Sequence, residues 1–179
     1  MTRFIFLVLV TLCCSGSVLA SITVIDDTGQ AIVLENPAKN IVILSPGLTE
    51  ITYAAGGHTF IKGVVSFSDY PEQAKSIERI GRYNSLDLEK ILSLQPDLII
   101  AWNSGNPSHQ IEQLKKLGLT VYISEPRDFM DIPSTITRLG QLMATEATAQ
   151  KVADDFIQQF NALKQLYSQH TSRNNGKRT

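Results

Sequence analysis

The segment Leu86-Asp-Leu-Glu-Lys-Ile-Leu-Ser-Leu-Gln-Pro-Asp-Leu-Ile-Ile-Ala-Trp-Asn-Ser-Gly-Asn106 constrains the fold more tightly than any other part of the chain. It reads as a short helix from about Leu86 to Leu94, a Pro-Asp turn, an apolar strand from Asp97 to Ala101, and a loop opening on Trp102, the only tryptophan. A strand with no polar alternation has both faces covered, which places it inside a parallel sheet between layers of helix. In such sheets ligands bind in the crevice outside the carboxyl ends of the strands, so Trp102 is expected to face a site rather than the core.

The same alternation runs through the rest of the chain. Ile22 to Leu34 alternates, breaks at Asp27-Thr-Gly29 and alternates again, as a hairpin of two short strands does. A hairpin alone is marginally stable, so this one is expected to lean on the adjoining α/β lobe. Ile41-Val-Ile-Leu44 is a second fully buried strand. Ser45-Pro-Gly-Leu-Thr-Glu50 after it reads as a helix start, with Ser45 able to cap and Pro46 at the tolerated first position. A strand near Ile61 to Val65, a polar loop from Ser66 to Pro71, a helix from Pro107 to Leu117 and a strand from Thr120 to Ile123 continue the pattern. Alternating strands and helices specify an α/β lobe with a parallel sheet flanked by helices. From Thr145 to about Tyr167, apolar residues recur at three- and four-residue steps, the spacing of one helical face. That helix is longer than the sheet beneath it requires. The polar stretch from His170 to Thr179 has no periodicity and reads as a disordered tail.

The N-terminus carries an export signal: Arg3 precedes the apolar run Phe4 to Cys14, and Ser17-Val-Leu-Ala20 supplies small residues for cleavage after Ala20. Both cysteines, Cys13 and Cys14, fall inside it, so the mature chain, starting at Ser21, has no disulfide. Lipidation is disfavoured, because small residues do not precede those cysteines. The organisation is therefore a signal peptide over 1–20, a hairpin over 21–38, an α/β lobe over 39–144, a long helix over 145–168 and a tail over 169–179.

Several function classes are excluded or left without support. A formal net charge of −1 and the absence of an extended basic run argue against nucleic acid. No Gly-x-Gly-x-x-Gly or Gly-Lys-Thr loop follows the first strand, so a nucleotide cradle is not expected. His58, His109 and His170 lack metal-ligand spacing, and Asp69 reads as a turn residue without a nucleophile or base beside it. No metal, cofactor or catalytic residue is assigned, and the chain does not read as an enzyme.

The hairpin leading into Ile41 to Glu50, the loop Val65-Ser-Phe-Ser-Asp-Tyr-Pro71, the segment Leu86 to Trp102, the Gly105-Asn106 pair and the long helix near Thr145 together resemble the N-terminal lobe of the iron-siderophore and cobalamin class of periplasmic binding proteins. Among them, the cobalamin-binding members are the most similar at these motifs. The resemblance implies the substrate-binding component of an ABC importer, with cobalamin or a related corrinoid as transported ligand and an inner-membrane permease as partner. It also implies a clamshell of two lobes joined by one long helix, of which this sequence would supply the first lobe only, as a truncated product would. Phe67, Tyr83 and Trp102 match the aromatics that line this lobe, with Phe67 replacing a tyrosine and Tyr83 a tryptophan. Pro46 and Gly47, at a helix start, would let a ligand approach the backbone closely. Glu89 matches a glutamate that pairs with permease arginines. The bland alternatives stay open: core aromatics, a plain helix start and a solvated acid. So do two rival functions, a siderophore or haem carrier of the same class and a non-binding remnant or interaction module. Self-association through the apolar end of the long helix is a further expectation.

Overall fold

The computed structural model describes residues 21–175, with side chains to residue 168. The expected export signal, over residues 1–20, lies outside the described residues. Two short strands, β1 (Ile22–Ile25) and β2 (Ala31–Leu34), form an antiparallel hairpin. After it come β3 (Ile41–Ile43), α1 (Pro46–Ala54), β4 (Ile61–Val64) and a 3₁₀ turn at Glu72–Ser76. The edge strand β5 (Glu78–Arg79) and a small antiparallel pair, β6 (Gly81–Arg82) and β7 (Ser85–Leu86), lead into α2 (Leu88–Ser93). Next come β8 (Leu98–Trp102), α3 (Ser108–Lys116), β9 (Val121–Ser124), α4 (Asp131–Met143) and α5 (Glu146–Asn175).

The main sheet has five strands in the order β5-β4-β3-β8-β9, and every pairing in it is parallel. Successive side chains on a strand point to opposite faces, and the two cores divide accordingly. Ile41, Ile43, Leu98, Ile100 and Tyr122 face a cluster shared with the hairpin, α1, α4 and α5. Val42, Leu44, Ile99, Ala101, Val121 and Ile123 face a second cluster with Ile91 of α2 and Ile111 and Leu114 of α3. The uninterrupted aliphatic runs follow from this double coverage.

The hairpin is pinned by its turn. The Asp26 carboxylate accepts from Thr28 N at 2.8 Å and Gln30 N at 3.0 Å. The Asp27 carboxylate accepts from Glu125 N at 2.6 Å and pairs with Arg138 Nη2 at 2.6 Å, while Arg138 Nη1 donates to Ile25 O at 2.9 Å. The hairpin is thus fastened to the end of β9 and to α4.

Four details depart from the sequence reading. Ser45 sits in the N-cap position with extended backbone but makes no side-chain cap; its carbonyl instead accepts from Thr49 N and Thr49 Oγ1, both at 3.1 Å. Trp102 ends β8, in register with Ser124 of β9, rather than opening a loop. The reading places no element between Ile123 and Thr145, yet α4 lies there; Ile136, Leu139, Leu142 and Met143 bury one face of it. The long helix does not stop near residue 168 but continues to Asn175, over much of the expected tail. No Gly or Pro occurs between Glu146 and Asn175, so polarity alone gives the helix no stop signal.

Candidate functional site

From β3 the chain proceeds through β4 and β5 to one edge of the sheet, and from β8 through β9 to the other. The strand order therefore reverses between β3 and β8, and the carboxyl ends of these neighbours bound the crevice where open α/β sheets take ligands. Leu44 to Gly47 leave β3 at this point, and Trp102 to Asn106 leave β8.

Pro46 is half-buried and Gly47 exposed in the first turn of α1. A Cβ added to Gly47 would meet nothing within 4 Å. Packing within this chain therefore does not demand glycine, and the bare backbone leaves the N–H end of the helix open to approach.

Trp102 is half-buried and packs beside the core cluster of the hairpin face. Its ring stands 6.0 Å from that of Tyr83, in the turn between β6 and β7, at an interplanar angle of 48°, within the range of favourable aromatic pairs. Tyr83 is 40% exposed. The structure thus brings together two aromatics that lie in separate segments of the sequence.

Phe67 lies just beyond the carboxyl end of β4 and is 69% exposed. Its φ of +69° is left-handed, a region that suits glycine at the third position of a tight turn. The turn is closed by Ser68 N donating to Val65 O at 3.4 Å. Neighbouring bonds hold it in place: Ser66 N donates to Gly81 O at 2.8 Å, and the Thr49 and Ser68 hydroxyls meet at 3.2 Å. Phe67 is thereby tied to α1 and to β6, on the same edge as the other two aromatics, but its ring touches neither of theirs among the described residues.

Glu89 is exposed in the first turn of α2, a helix capped by Asp87 Oδ1 accepting from Lys90 N at 3.0 Å. No hydrogen bond, ion pair or ring contact among the described residues joins it to the aromatic group. Beyond β9, a depression of about 320 Å³ is lined by Ile51, Pro126, Arg127, Asp128, Phe129 and Ile132. Two backbone N–H groups, of Arg127 and Asp128, both 2.9 Å from Asp131 Oδ2, brace this loop and hold the Asp131 carboxyl below its ordinary pKa.

Two residues without a role in the sequence reading organise the site. Asn106 is buried beneath the crevice, bonded to both sides of it, and Gly105 lies under the Trp102 ring. Both stand in the Gly-Asn pair that contributes to the family resemblance, which was the available signal; their contacts were not. The exposed chemistry at the strand ends mixes the aromatics Phe67 and Tyr83 with polar side chains such as Asn84, Asn103 and Ser104, a combination suited to a broad, flat, partly apolar ligand with scattered polar groups.

The chain belongs to the periplasmic binding protein family, whose model matches residues 41–175. It is 41% identical over 132 residues to a vitamin B12-binding protein of Vibrio campbellii, covering 74% of this chain and 48% of that one. A vitamin B12-binding protein of Yersinia pestis is 37% identical over 131 residues, covering 73% and 47%. The crystal structure of the periplasmic vitamin B12 binding protein BtuF of Vibrio cholerae superposes with a TM-score of 0.71 at 41% identity, over 74% of this chain and 52% of that one. A periplasmic heme binding protein of Pseudomonas aeruginosa shares the fold, with a TM-score of 0.70 at 23% identity over 76% and 49%. The chain spans about half the length of the curated relatives it matches.

Proposed function

We propose that this chain is a ligand-capturing lobe of an ABC importer's periplasmic binding protein, that its ligand is cobalamin or a related corrinoid, and that Pro46, Gly47, Phe67, Tyr83 and Trp102 form its binding wall. The observation that carries this reading is the Tyr83–Trp102 pair at the β3/β8 reversal, in a chain similar to vitamin B12-binding proteins. A corrinoid is a large, partly apolar disc fringed with amides, and aromatic faces match it better than a charged clamp does. The protein acts as a carrier rather than an enzyme. Export with cleavage after Ala20 delivers it to the periplasm, and Glu89, exposed in the first turn of α2, docks on a basic surface of the inner-membrane permease.

One wall covers less of a ligand than a closed cleft, in which roughly 70–90% of the surface is buried, so the chain on its own binds at roughly micromolar strength or weaker. Calorimetric titration with cyanocobalamin, with haemin and a ferric siderophore as competitors, tests the reading. Saturable cyanocobalamin binding that Phe67→Ala and Trp102→Ala both weaken is expected. A preference for haemin or the siderophore, or cyanocobalamin binding indifferent to both variants, would refute the assignment. Leu163, Leu166 and Tyr167, in the second half of α5, are 55%, 54% and 69% exposed. Self-association through this face follows, and light scattering that shows a monomer at high concentration would exclude it.

A further inference from the structure

Asn106 does not line the exposed wall, yet its side chain touches every segment that builds the central part of it. Oδ1 accepts from Trp102 N at 2.6 Å, while Nδ2 donates to Leu44 O and to Tyr83 O, both at 2.8 Å. The residue is 7% exposed, so these bonds are shielded from water. Both amide protons and the amide oxygen are engaged, which fixes the orientation of the group: a flipped amide would set NH₂ against an N–H and oxygen against two carbonyls. The three partners lie at the end of β3, in the turn between β6 and β7, and at the end of β8. No sheet hydrogen bond among the described residues links the Tyr83 turn to the β8 end. The Asn106 amide bonds the two directly, while Gln110 of α3 braces the foot of the turn, accepting from Leu86 N at 3.0 Å and donating to Leu86 O at 3.1 Å.

We propose that Asn106 is a positioning residue that sets the distance and tilt of the Tyr83–Trp102 pair, and through it ligand affinity, without touching the ligand. The link to affinity rests on the assignment of these aromatics to the binding wall; the link to their geometry does not. An asparagine suits the task because its planar amide presents one acceptor and two donors within a side chain short enough to sit under the crevice. Aspartate has the same shape and keeps the acceptor, but it turns an oxygen toward Leu44 O and Tyr83 O. The pair should then separate at neutral pH while the rest of the lobe persists.

The experiment compares the full wild-type chain with Asn106→Asp. Trp102 is the only tryptophan, so its near-ultraviolet circular dichroism and its fluorescence quenching by acrylamide report its surroundings without ligand. Expected for the variant are a diminished tryptophan band, easier quenching and an affinity for cyanocobalamin lower by about tenfold or more, with far-ultraviolet dichroism unchanged. Unchanged tryptophan signals, or altered signals with unchanged affinity, would overturn the proposal. A wild-type chain that binds no cyanocobalamin would refute the function assigned above, and the ligand-free tryptophan signals would still decide the positioning role. If Asn106→Asp fails to fold, the wild type decides by nuclear magnetic resonance. Slowly exchanging, well-resolved Asn106 side-chain protons support the bracket, and exchange at the rate of an exposed amide overturns it.

Discussion

The ring of Trp102 lies across Gly105 so closely that a Cβ at position 105 would stand 1.8 Å from its Cε3. Gly105 is not in a left-handed conformation, so any cost of a larger residue there is steric. Gly105→Ala is expected to displace the indole and to destabilise the lobe by about 1–3 kcal/mol, the usual range for overpacking. Urea unfolding measures the loss, and a changed Trp102 emission maximum reports the displacement. A variant with wild-type stability and emission would show that the ring moves freely on its base.

Phe67 holds a left-handed φ with a large, exposed side chain, an arrangement that its own contacts do not repay. Such conformations cost non-glycine residues roughly 1–2 kcal/mol and concentrate at functional positions. Phe67→Gly is therefore expected to stabilise the lobe by about 1 kcal/mol, although glycine's looser unfolded chain offsets part of the gain. The same change should weaken cyanocobalamin binding. Parallel denaturation and titration check the two effects, whose opposite signs are the content of the prediction.

Tyr122 is buried against the hairpin face, and its hydroxyl has no hydrogen-bond partner among the described residues. Burial raises its pKa well above the usual phenol value. Below about pH 10 the phenol is neutral in both folded and unfolded chains. Above that, the unfolded chain releases a proton that the folded lobe retains, so stability falls as pH rises. Tyr122→Phe removes both this linkage and the unpaired hydroxyl. Higher stability at neutral pH, by about 1 kcal/mol, and a higher alkaline unfolding midpoint are expected from denaturation followed by far-ultraviolet dichroism.

Arg138 joins the hairpin to α4 through Asp27 and Ile25 O, and both side chains of the Asp27–Arg138 pair are more than four-fifths shielded, at 18% and 19% exposure. Removing one member of a largely buried pair leaves the other charge without compensation. Arg138→Met should cost about 2–4 kcal/mol, somewhat below a fully buried pair, and should expose the β1–β2 amides to hydrogen exchange first. Uniform loss of protection over the whole lobe would show instead that the hairpin does not come away separately.

The amino-acid sequence by itself determined four of the five strands of the main sheet, all but the polar edge strand β5. Ile41 to Leu44, Leu98 to Ala101 and Val121 to Ile123 are strands because their aliphatic runs need cover on both faces, a requirement visible in consecutive residues. The same local reasoning put Trp102 and Phe67 in loops that follow strands; Phe67 does lie just beyond β4, whereas Trp102 ends β8. Tertiary structure decided which strands became neighbours, and hence where the sheet reverses. It also set Tyr83 beside Trp102, laid the indole over Gly105 and made Asn106 the bracket beneath them. Asn106 reaches Leu44 across 62 positions of chain and Tyr83 across 23. Local periodicity records what each residue needs from its surroundings, namely burial, exposure or a turn. The partner that meets the need is fixed only when the β3 and β8 ends converge, and an asparagine in a polar loop bears no mark of that meeting.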